Sequence, residues 1–218
     1  QVLADWVQYV NFAGESPMSK LRRENGRDKP WNVKYWGVGN EAWGCGGNMT
    51  PEYYANEFRK YATFMSSWTN DGGIFRIASG ANSADYNWTE VIMKNVPLNL
   101  IEGMALHHYS VIDWNKKGPS TDFNEQQYFT TMKRALFMEE LVNKHIAIMD
   151  KYDPKKRVAL VVDEWGGWYE VEPGTNPGFL YQQNTIRDAM IAGVTLNIFN
   201  NHADRIRMAN LAQAINVL

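Results

Sequence analysis

The sequence predicts an α/β fold, because stretches typical of buried strands alternate along the chain with stretches typical of amphipathic helices. Four strands are predicted, over residues 33–40, 75–81, 101–109 and 157–165. The first and the last are nearly continuous apolar runs rich in valine and aromatic residues, which is typical of parallel strands covered on both faces. Strands that alternate with helices predict βα units and a parallel sheet.

The helical patterns lie before, between and after these strands. The N-terminal stretch QVLADWVQYVNFAG is typical of an amphipathic helix. In segment 50–68, Thr50 is placed to cap a helix whose first residue is Pro51. The side chains predicted to share the apolar face of this helix are Tyr54, Phe58, Tyr61, Ala62 and Met65.

Two further helices are predicted towards the C-terminus. Residues 126–150 place Phe129, Met132 and Leu136 on one face. The last stretch carries apolar side chains at the i, i+3, i+4 and i+7 positions of a helix, namely Met208, Leu211, Ala212 and Ile215. Segment 116–127 is predicted to be a long exposed loop.

Two architectures compete for these βα units, a doubly wound open sheet and a closed (β/α)8 barrel. No G-x-G-x-x-G turn follows a predicted strand, which weakens the nucleotide-binding form of the open sheet. Polar residues instead crowd the carboxyl ends of the strands, where a barrel keeps its active site. They are Asn40, Glu41, Ser79, Asn82, His107, His108, Tyr109, Asp163 and Glu164. Since four strands make half a barrel, residues 1–218 are predicted to be part of one incomplete (β/α)8 domain.

The amino-acid composition favours some classes of binding partner over others. The chain has 218 residues and a net charge of −2, which gives no reason to expect a nucleic acid or an anionic membrane as a partner. Aromatic residues make up 13% of the chain, and their rings suit stacking on the flat apolar faces of sugars. The single cysteine, Cys45, excludes an internal disulfide and a cysteine-rich metal site, and it is interpreted as structural.

No apolar run approaches the length of a membrane span. The N-terminus lacks an initiator methionine, a basic region and a cleavage site, so it is not interpreted as a signal peptide. The chain is expected to have been cut from something longer. Its compartment is left open, with a secreted or periplasmic location favoured over a cytoplasmic one.

Glu41 and Glu164 carry the clearest indication of chemistry. Each ends an apolar strand and is followed closely by a tryptophan. Because all strand ends of a parallel barrel converge on one mouth, the two carboxylates are expected to face each other. Opposed carboxylates perform glycoside hydrolysis, one as general acid and the other as nucleophile or base. The alternative, that each glutamate is solvated or paired with an arginine, is weakened because both have a polar neighbour and a nearby indole.

Four stretches of the sequence resemble the α-L-arabinofuranosidases of glycoside hydrolase family 51. They are LRRENGRDKPWNVKYWG, YWGVGNEAWGCGGNMTPEYYANEFRKYA, VVDEWGGWY and NNHADRIRMANLAQAINVL. The Gly-Asn-Glu after a strand is shared by a whole clan of barrel glycosidases. Its combination with Asp-Glu-Trp and with the His-Ala-Asp segment makes the resemblance specific, and the similarity runs through nearly all of the chain.

The resemblance implies a retaining mechanism with two named carboxylates, ~5 Å apart in enzymes of this type. Glu41 would be the acid/base at the end of barrel strand four, and Glu164 the nucleophile at the end of strand seven. Gln1 would fall in the helix before strand four and Leu218 would end the helix before strand eight, so that strands four to seven are visible. The β-sandwich domain of the family would be absent.

The resemblance also implies substrate-binding roles. Asn40 would bind the 2-hydroxyl of the sugar, and Trp168 would stack on it, with core packing as the alternative for this ring. Glu41 must begin protonated, and Trp43 and Trp36 are expected to supply surroundings of low polarity that favour the neutral acid.

The resemblance further implies that two side chains of the third strand lie beside the nucleophile. By the two-residue period of a strand, His107 and Tyr109 would share the inward-facing side, with Tyr109 donating a hydrogen bond that holds Glu164 ionised and aimed. A purely structural histidine pair is one alternative. A zinc site is another, but ligands normally share a face, and His107 and His108 do not. His202 and Asp204 are expected to form a buried polar network at a helix junction.

The predicted function is therefore removal of terminal α-L-arabinofuranosyl residues from arabinoxylan, arabinan or related oligosaccharides, with no metal and no cofactor. The alternatives are another barrel glycosidase such as a β-1,4-glucanase or xylanase, a metal-dependent barrel hydrolase, and a fragment that binds carbohydrate without cleaving it. Arabinose-containing glycans are the expected partners, and nucleic acids and membranes are not. Because members of the family are often oligomers, a homo-oligomer is expected for the full-length protein.

Overall fold

The computed structural model describes residues 1–69 and 73–212. In chain order the helices are α1 (Val2–Asn11), α2 (Pro17–Glu24), α3 (Pro51–Phe64), α4 (Tyr86–Asn95), α5 (Glu125–Tyr152) and α6 (Ile186–Asn201). The strands are β1 (Tyr35–Val38), β2 (Phe75–Asn82), β3 (Gly103–Ser110), β4 (Ala159–Gly167) and β5 (Ile206–Leu211). The four predicted strands are β1 to β4, with ends that differ from the prediction by one or two residues.

The chain divides into two compact units. The first consists of Gln1–Gly80 and Asn87–Met104, and the second of Ala81–Tyr86 and Ala105–Leu218. The boundary between them runs through β2 and β3. Among the described residues, no helix is both long enough and apolar enough to cross a membrane.

In the first unit, β1 and β2 pair in parallel, with Tyr35 opposite Phe75 and Val38 opposite Ala78. Trp36 and Val38 of β1 are buried, whereas the other face of the strand, which carries Tyr35, is exposed. The expectation that this strand is covered on both faces is therefore wrong. Strand β4 is buried on both faces for most of its length, as predicted.

Helix α3 begins where the sequence predicts. The side chain of Thr50 accepts a hydrogen bond from the backbone N–H of Tyr53 (3.3 Å), and Pro51 occupies the first turn, where no helical N–H is needed. Tyr61 is exposed and does not belong to the buried face. The buried members of the predicted face are Tyr54, Phe58, Ala62 and Met65.

In the second unit, β3, β4 and β5 are neighbours in that order, and β5 corrects the prediction for the C-terminal stretch. Residues 206–211 are not helical but form a strand parallel to β4, with Ile206 opposite Leu160. A short apolar stretch satisfies helical and strand patterns alike, and the pairing with β4 decides between them. Ile215, the last position of the predicted helix, lies outside the described residues. The described part of the chain thus has five strands rather than four, and the helix before the last strand is α6.

The start of α6 has a sequence signal of its own. Thr185 and Asp188 form a capping box, in which the Thr185 hydroxyl accepts from the Arg187 N–H (3.2 Å) and the Thr185 N–H donates to Asp188 Oδ2 (2.8 Å). A threonine followed three residues later by an acidic residue is the pattern that predicts such a helix start.

Helix α5 buries a different face from the predicted one. Phe129 and Leu136 are 60% and 56% exposed. The buried positions are Thr131, Ala135, Met138, Leu141, Val142, His145 and Met149. These follow the three- and four-residue spacing of a helix over its full length, whereas the predicted stripe covers its first part only, so packing selects the longer stripe.

A buried ion pair ties the end of α5 to the turn before β5. The side chains of Arg205 and Asp153 are fully buried, and Arg205 Nη1 donates to Asp153 Oδ2 (3.0 Å). The backbone N–H of Val158 donates to the same oxygen (2.8 Å). A polar network was predicted at this junction with His202 and Asp204 as its buried members. His202 is instead partly exposed beside Glu139, and Asp204 is an exposed partner of Lys156.

Replacing Arg205 with alanine is expected to lower the free energy of unfolding by about 3–5 kcal/mol, because Asp153 would stay buried with only the exposed Arg157, 3.4 Å from its Oδ1, as an ionic partner. Burial alone raises the pKa of Asp153, but the hydrogen bonds from Val158 and Arg205 outweigh it and hold this pKa below its ordinary value. A carboxyl group with a lowered pKa contributes stability above its unfolded-state pKa and loses it as the pH falls through the lowered value. The difference in stability between Arg205→Ala and the unaltered protein should therefore shrink in strongly acidic buffer.

Urea denaturation of the full-length protein at neutral and at acidic pH measures this difference. Lys156→Ala, which removes an exposed ion pair with Asp204, is the matched control and should cost at most about 1 kcal/mol. Equal losses in the two variants would contradict the assignment of Arg205 as the partner that makes burial of Asp153 tolerable.

Candidate active site

The first unit carries Glu41 on a tight turn after β1. Glu41 has a φ of 43°, in the left-handed region that side chains other than glycine rarely adopt. Its carbonyl oxygen accepts hydrogen bonds from the N–H groups of Gly44 (2.8 Å) and Gly46 (3.0 Å). A Cβ at position 46 would lie 1.6 Å from the carbonyl oxygen of Asn40, so only glycine fits there. Backbone strain of this kind is typical of functional sites.

Contacts with the end of β2 hold this turn in place. The N–H of Ala42 donates to Ser79 Oγ (3.1 Å), and the indole N–H of Trp43 donates to the carbonyl oxygen of Gly80 (3.1 Å). Trp43, two residues after Glu41 in the sequence, is therefore also held next to the end of β2. The position of the Glu41 backbone is therefore set by the carboxyl end of the neighbouring strand.

Tyr54 of α3, which its sequence pattern assigns to the core alone, supports the same region. Its hydroxyl donates to the carbonyl oxygen of Val38 (2.5 Å) and accepts from the N–H of Ser79 (2.6 Å). Tyr54 is 3% exposed. A buried hydroxyl that joins the last residue of β1 to β2 fixes the point from which the Glu41 turn departs.

The other predicted residues of the first unit have different surroundings. Asn40 is exposed at the start of the turn. Trp36 is buried and packs edge-on against Trp6 of α1 (5.3 Å between ring centroids), and its indole N–H donates to the Val33 carbonyl oxygen. The contribution of Trp36 and Trp43 to the protonation of Glu41 stays a prediction.

Cys45 is exposed on the Glu41 turn rather than packed in a core. Its Sγ lies 3.2 Å from Oε2 of Glu41 and donates a hydrogen bond to it. From the sequence alone, Cys45 is interpreted as structural. The structure places its thiol on the carboxylate of the candidate acid/base.

In the second unit, β3 separates its two histidines as the strand period predicts. His108 Nδ1 lies 3.0 Å from Ser83 Oγ and its Nε2 lies 3.2 Å from the carbonyl oxygen of Arg134. A carbonyl only accepts, so Nε2 carries the proton and Nδ1 accepts from the serine hydroxyl. Burial lowers the pKa of His108, which favours this neutral form. His108 therefore belongs to the packing between β3 and α5.

His107 and Tyr109 lie on the other side of β3 and contact the candidate nucleophile. The Tyr109 hydroxyl donates to Oε1 of Glu164 (2.5 Å), so the predicted hydrogen bond is present. Nδ1 of His107 lies 3.2 Å from Oε2 of Glu164, and Nε2 lies 3.1 Å from Oδ1 of Asp163. His107 is 5% exposed. Both oxygens of Glu164 therefore lie within 3.2 Å of a side chain of the neighbouring strand.

Strand β4 has a bulge at Asp163 and Glu164. Between Val162 and Trp165, β4 advances by three residues, whereas β5 advances by two, from Ala209 to Leu211. A bulge turns side chains away from strict alternation. It allows consecutive residues to reach the same imidazole, which a regular strand would prevent. From the sequence, Asp163 is predicted only to be a polar residue near the end of its strand, with no role of its own.

Trp168 lies next to this group. Its ring packs edge-on against Tyr109, with 4.7 Å between ring centroids, and against Trp114, with 5.8 Å. A cavity of about 270 Å³ adjoins it, with Tyr109, Trp168 and Leu211 among the lining residues. Glu164 is not among the described residues that line this cavity.

Two family models match the chain. The model described as Alpha-L-arabinofuranosidase 1 domain matches residues 1–149, and the one described as Alpha-L-arabinofuranosidase C-terminal domain matches residues 163–218. The prediction that residues 1–218 are part of one catalytic domain, with the β-sandwich absent, stays a prediction.

Known proteins are similar to the chain along its whole length. The intracellular exo-alpha-L-arabinofuranosidase of Bacteroides ovatus is 52% identical over 218 residues, which is 99% of this chain and 42% of that protein. Alpha-L-arabinofuranosidase C of Emericella nidulans is 27% identical over 98% of this chain and 43% of its own length. The chain thus spans less than half the length of these relatives.

Solved structures of arabinofuranosidases also match nearly the whole chain. The GH51 arabinofuranosidase of Xanthomonas axonopodis pv. citri matches with a TM-score of 0.95 and 51% identity, over 99% of this chain and 44% of that one. The α-L-arabinofuranosidase of Thermotoga maritima matches with a TM-score of 0.77 and 27% identity, over 98% and 40%. The predicted fold class, an incomplete (β/α)8 barrel, is confirmed. The chain belongs to the α-L-arabinofuranosidases of glycoside hydrolase family 51.

Proposed function

We propose that the full-length protein is a retaining, exo-acting α-L-arabinofuranosidase that removes terminal arabinofuranosyl residues from arabinoxylan, arabinan or related oligosaccharides. The observation that carries the proposal is the environment of the Glu164 carboxylate. One of its oxygens accepts a hydrogen bond from the Tyr109 hydroxyl, and the other lies 3.2 Å from the His107 imidazole. A nucleophile needs a fixed orientation towards the anomeric carbon, and this arrangement supplies it.

In the first step, an oxygen of Glu164 attacks the anomeric carbon of the arabinosyl unit, and the bond from this carbon to the glycosidic oxygen breaks. Glu41 donates its proton to the leaving oxygen, so the rest of the glycan departs as an alcohol. The arabinosyl unit remains as an ester of Glu164.

In the second step, water attacks the anomeric carbon of this ester while the Glu41 carboxylate accepts a proton from the water. Arabinose is released, Glu164 is again a carboxylate and Glu41 is again an acid. Each displacement inverts the anomeric carbon, so two displacements retain its configuration.

The remaining predicted residues bind the sugar in this scheme. Asn40, at the start of the Glu41 turn, donates to the 2-hydroxyl, where a hydrogen bond strengthens in the transition state. Trp168 offers an aromatic face for the arabinose ring. His107 and Tyr109 hold the nucleophile and adjoin the sugar bound to it.

Proton NMR of the full-length protein acting on 4-nitrophenyl α-L-arabinofuranoside tests the proposal. Free arabinose should first appear as the α anomer, and its β anomer should follow through mutarotation. First appearance of the β anomer would contradict a retaining mechanism. Release of sugar from xylan backbones or β-1,4-glucans, with none from the arabinofuranoside, would instead assign the protein to another class of barrel glycosidase.

A further inference from the structure

Three aromatic side chains of the second unit form a row that starts at the candidate nucleophile. Tyr109, whose hydroxyl donates to Glu164, packs edge-on against Trp168, and Trp168 packs edge-on against Trp114. The exposure of the rings rises along this row: Tyr109 and Trp168 are partly buried, and Trp114 is 58% exposed. The row therefore leads from the carboxylate to the surface of the unit.

Trp114 lies in the connection between β3 and α5, and hydrogen bonds fix this connection to the chain that follows β4. The N–H of Glu170 donates to the Gly118 carbonyl oxygen (2.9 Å), and the N–H of Lys117 donates to Oε1 of Glu170 (3.0 Å). Ser120, which is 1% exposed, donates to Glu172. The segment predicted to be a long exposed loop is thus anchored at several points.

Arg187 of α6 also stabilises the connection between β3 and α5. Its guanidinium donates to the carbonyl oxygens of Pro119 and Ser120 (3.0 Å each) and lies 3.8 Å from the ring centroids of both Phe123 and Tyr169. Arg187 is fully buried. A ring displayed on an anchored segment loses little conformational entropy when a ligand binds, so it is preorganised for binding.

We propose that Trp114 forms a subsite for the leaving-group sugar, the unit of the glycan to which the arabinosyl residue is attached. The inference rests on the proposed function. Trp168 packs against Tyr109, the hydrogen-bond donor of the nucleophile, and adjoins the arabinose. Trp114 packs against the other ring, Trp168, and is itself exposed to solvent. The flat face of an exposed indole suits the apolar face of a sugar ring, and its burial by the substrate adds affinity for the glycan without touching the reacting atoms.

Steady-state kinetics of Trp114→Ala in the full-length protein, on two substrates, tests the subsite. For an arabinoxylo-oligosaccharide, KM is expected to rise about tenfold, as for the loss of one aromatic binding contact, with kcat within about twofold. For methyl α-L-arabinofuranoside, which has no sugar in its leaving group, KM and kcat should both stay within about twofold. Trp114→Tyr, which keeps a ring, should retain most of the affinity for the oligosaccharide.

Phe129→Ala provides the matched control, because Phe129 is an equally exposed ring of the second unit, on α5. In this variant, KM and kcat for both substrates should stay unchanged. Equal effects of Trp114→Ala on the two substrates, or no effect on either, would overturn the subsite. If Trp114→Ala does not fold, Trp114→Leu keeps an apolar contact with Trp168 without an aromatic face, and the same comparison with Trp114→Tyr decides.

Failure of the subsite is distinguishable from failure of the proposed function. If the unaltered protein does not hydrolyse methyl α-L-arabinofuranoside, or does so independently of Glu164, the proposed function is wrong. If that hydrolysis is normal and depends on Glu164, but Trp114→Ala leaves the KM for the oligosaccharide unchanged, only the subsite is wrong.

Discussion

Replacing Glu164 with alanine is expected to lower kcat for 4-nitrophenyl α-L-arabinofuranoside by at least about 10³-fold, because the variant cannot form the glycosyl ester. The substrate should still bind, since the Tyr109 and Trp168 rings remain. Release of 4-nitrophenol by the full-length protein, followed over a range of substrate concentrations, separates the loss of kcat from any change in KM.

Adding azide makes this test specific for the loss of the nucleophile. In Glu164→Ala, azide can attack the anomeric carbon in place of the missing carboxylate, and a single displacement gives the β-configured arabinosyl azide. Glu140→Ala is the control, because Glu140 is an exposed carboxylate on α5 whose partner is Lys144. An unchanged rate in Glu164→Ala, or a loss of the same size in Glu140→Ala, would rule out Glu164 as the nucleophile.

Replacing Glu41 with alanine is expected to lower kcat/KM for methyl α-L-arabinofuranoside by about 10³-fold or more, because methoxide is a poor leaving group without a proton donor. The fall in kcat/KM for 4-nitrophenyl α-L-arabinofuranoside should be much smaller, because 4-nitrophenolate leaves without protonation. Comparing the two substrates in the full-length protein therefore identifies the general acid separately from any loss of folding.

Azide gives the opposite stereochemical outcome in this variant. It replaces water in the second displacement, needs no general base and should restore turnover with the α-configured arabinosyl azide as product. Glu52→Gln, which alters an exposed carboxylate in the first turn of α3, is the control within the same unit. Equal losses on both arabinofuranosides, or a β-configured azide, would count against Glu41 as the acid/base.

The local signals of the sequence located four of the five described strands and the polar residues near their carboxyl ends. Apolar runs that finish in polar residues placed Glu41 after β1 and Glu164 in β4, and the two-residue period of β3 separated His107 and Tyr109 from His108. The cap at Thr50 also followed from sequence, because capping depends on neighbouring residues alone. Resemblance to a family supplied the proposed roles.

Patterns that depend on a packing partner were less well predicted. Helix α5 offers more than one apolar stripe, and the stripe through Ala135, Met138 and Val142 is buried instead of the one through Phe129 and Leu136. Residues 206–211 fit a helix by spacing but pair with β4. In both cases the choice is made by the neighbouring element, which a single sequence does not contain.

The sequence by itself determined that Glu41 follows β1, that Glu164 lies near the carboxyl end of β4, and which aromatic residues accompany them. Only the tertiary structure decided how these side chains are held: the bulge that turns Asp163 and Glu164 towards His107, the Tyr54 hydroxyl that joins β1 to β2, and the anchored segment that carries Trp114. The physical reason is that strand and helix patterns reflect interactions between near neighbours in sequence. Bulges, buried hydroxyl contacts and loop anchors instead arise between residues far apart in the chain.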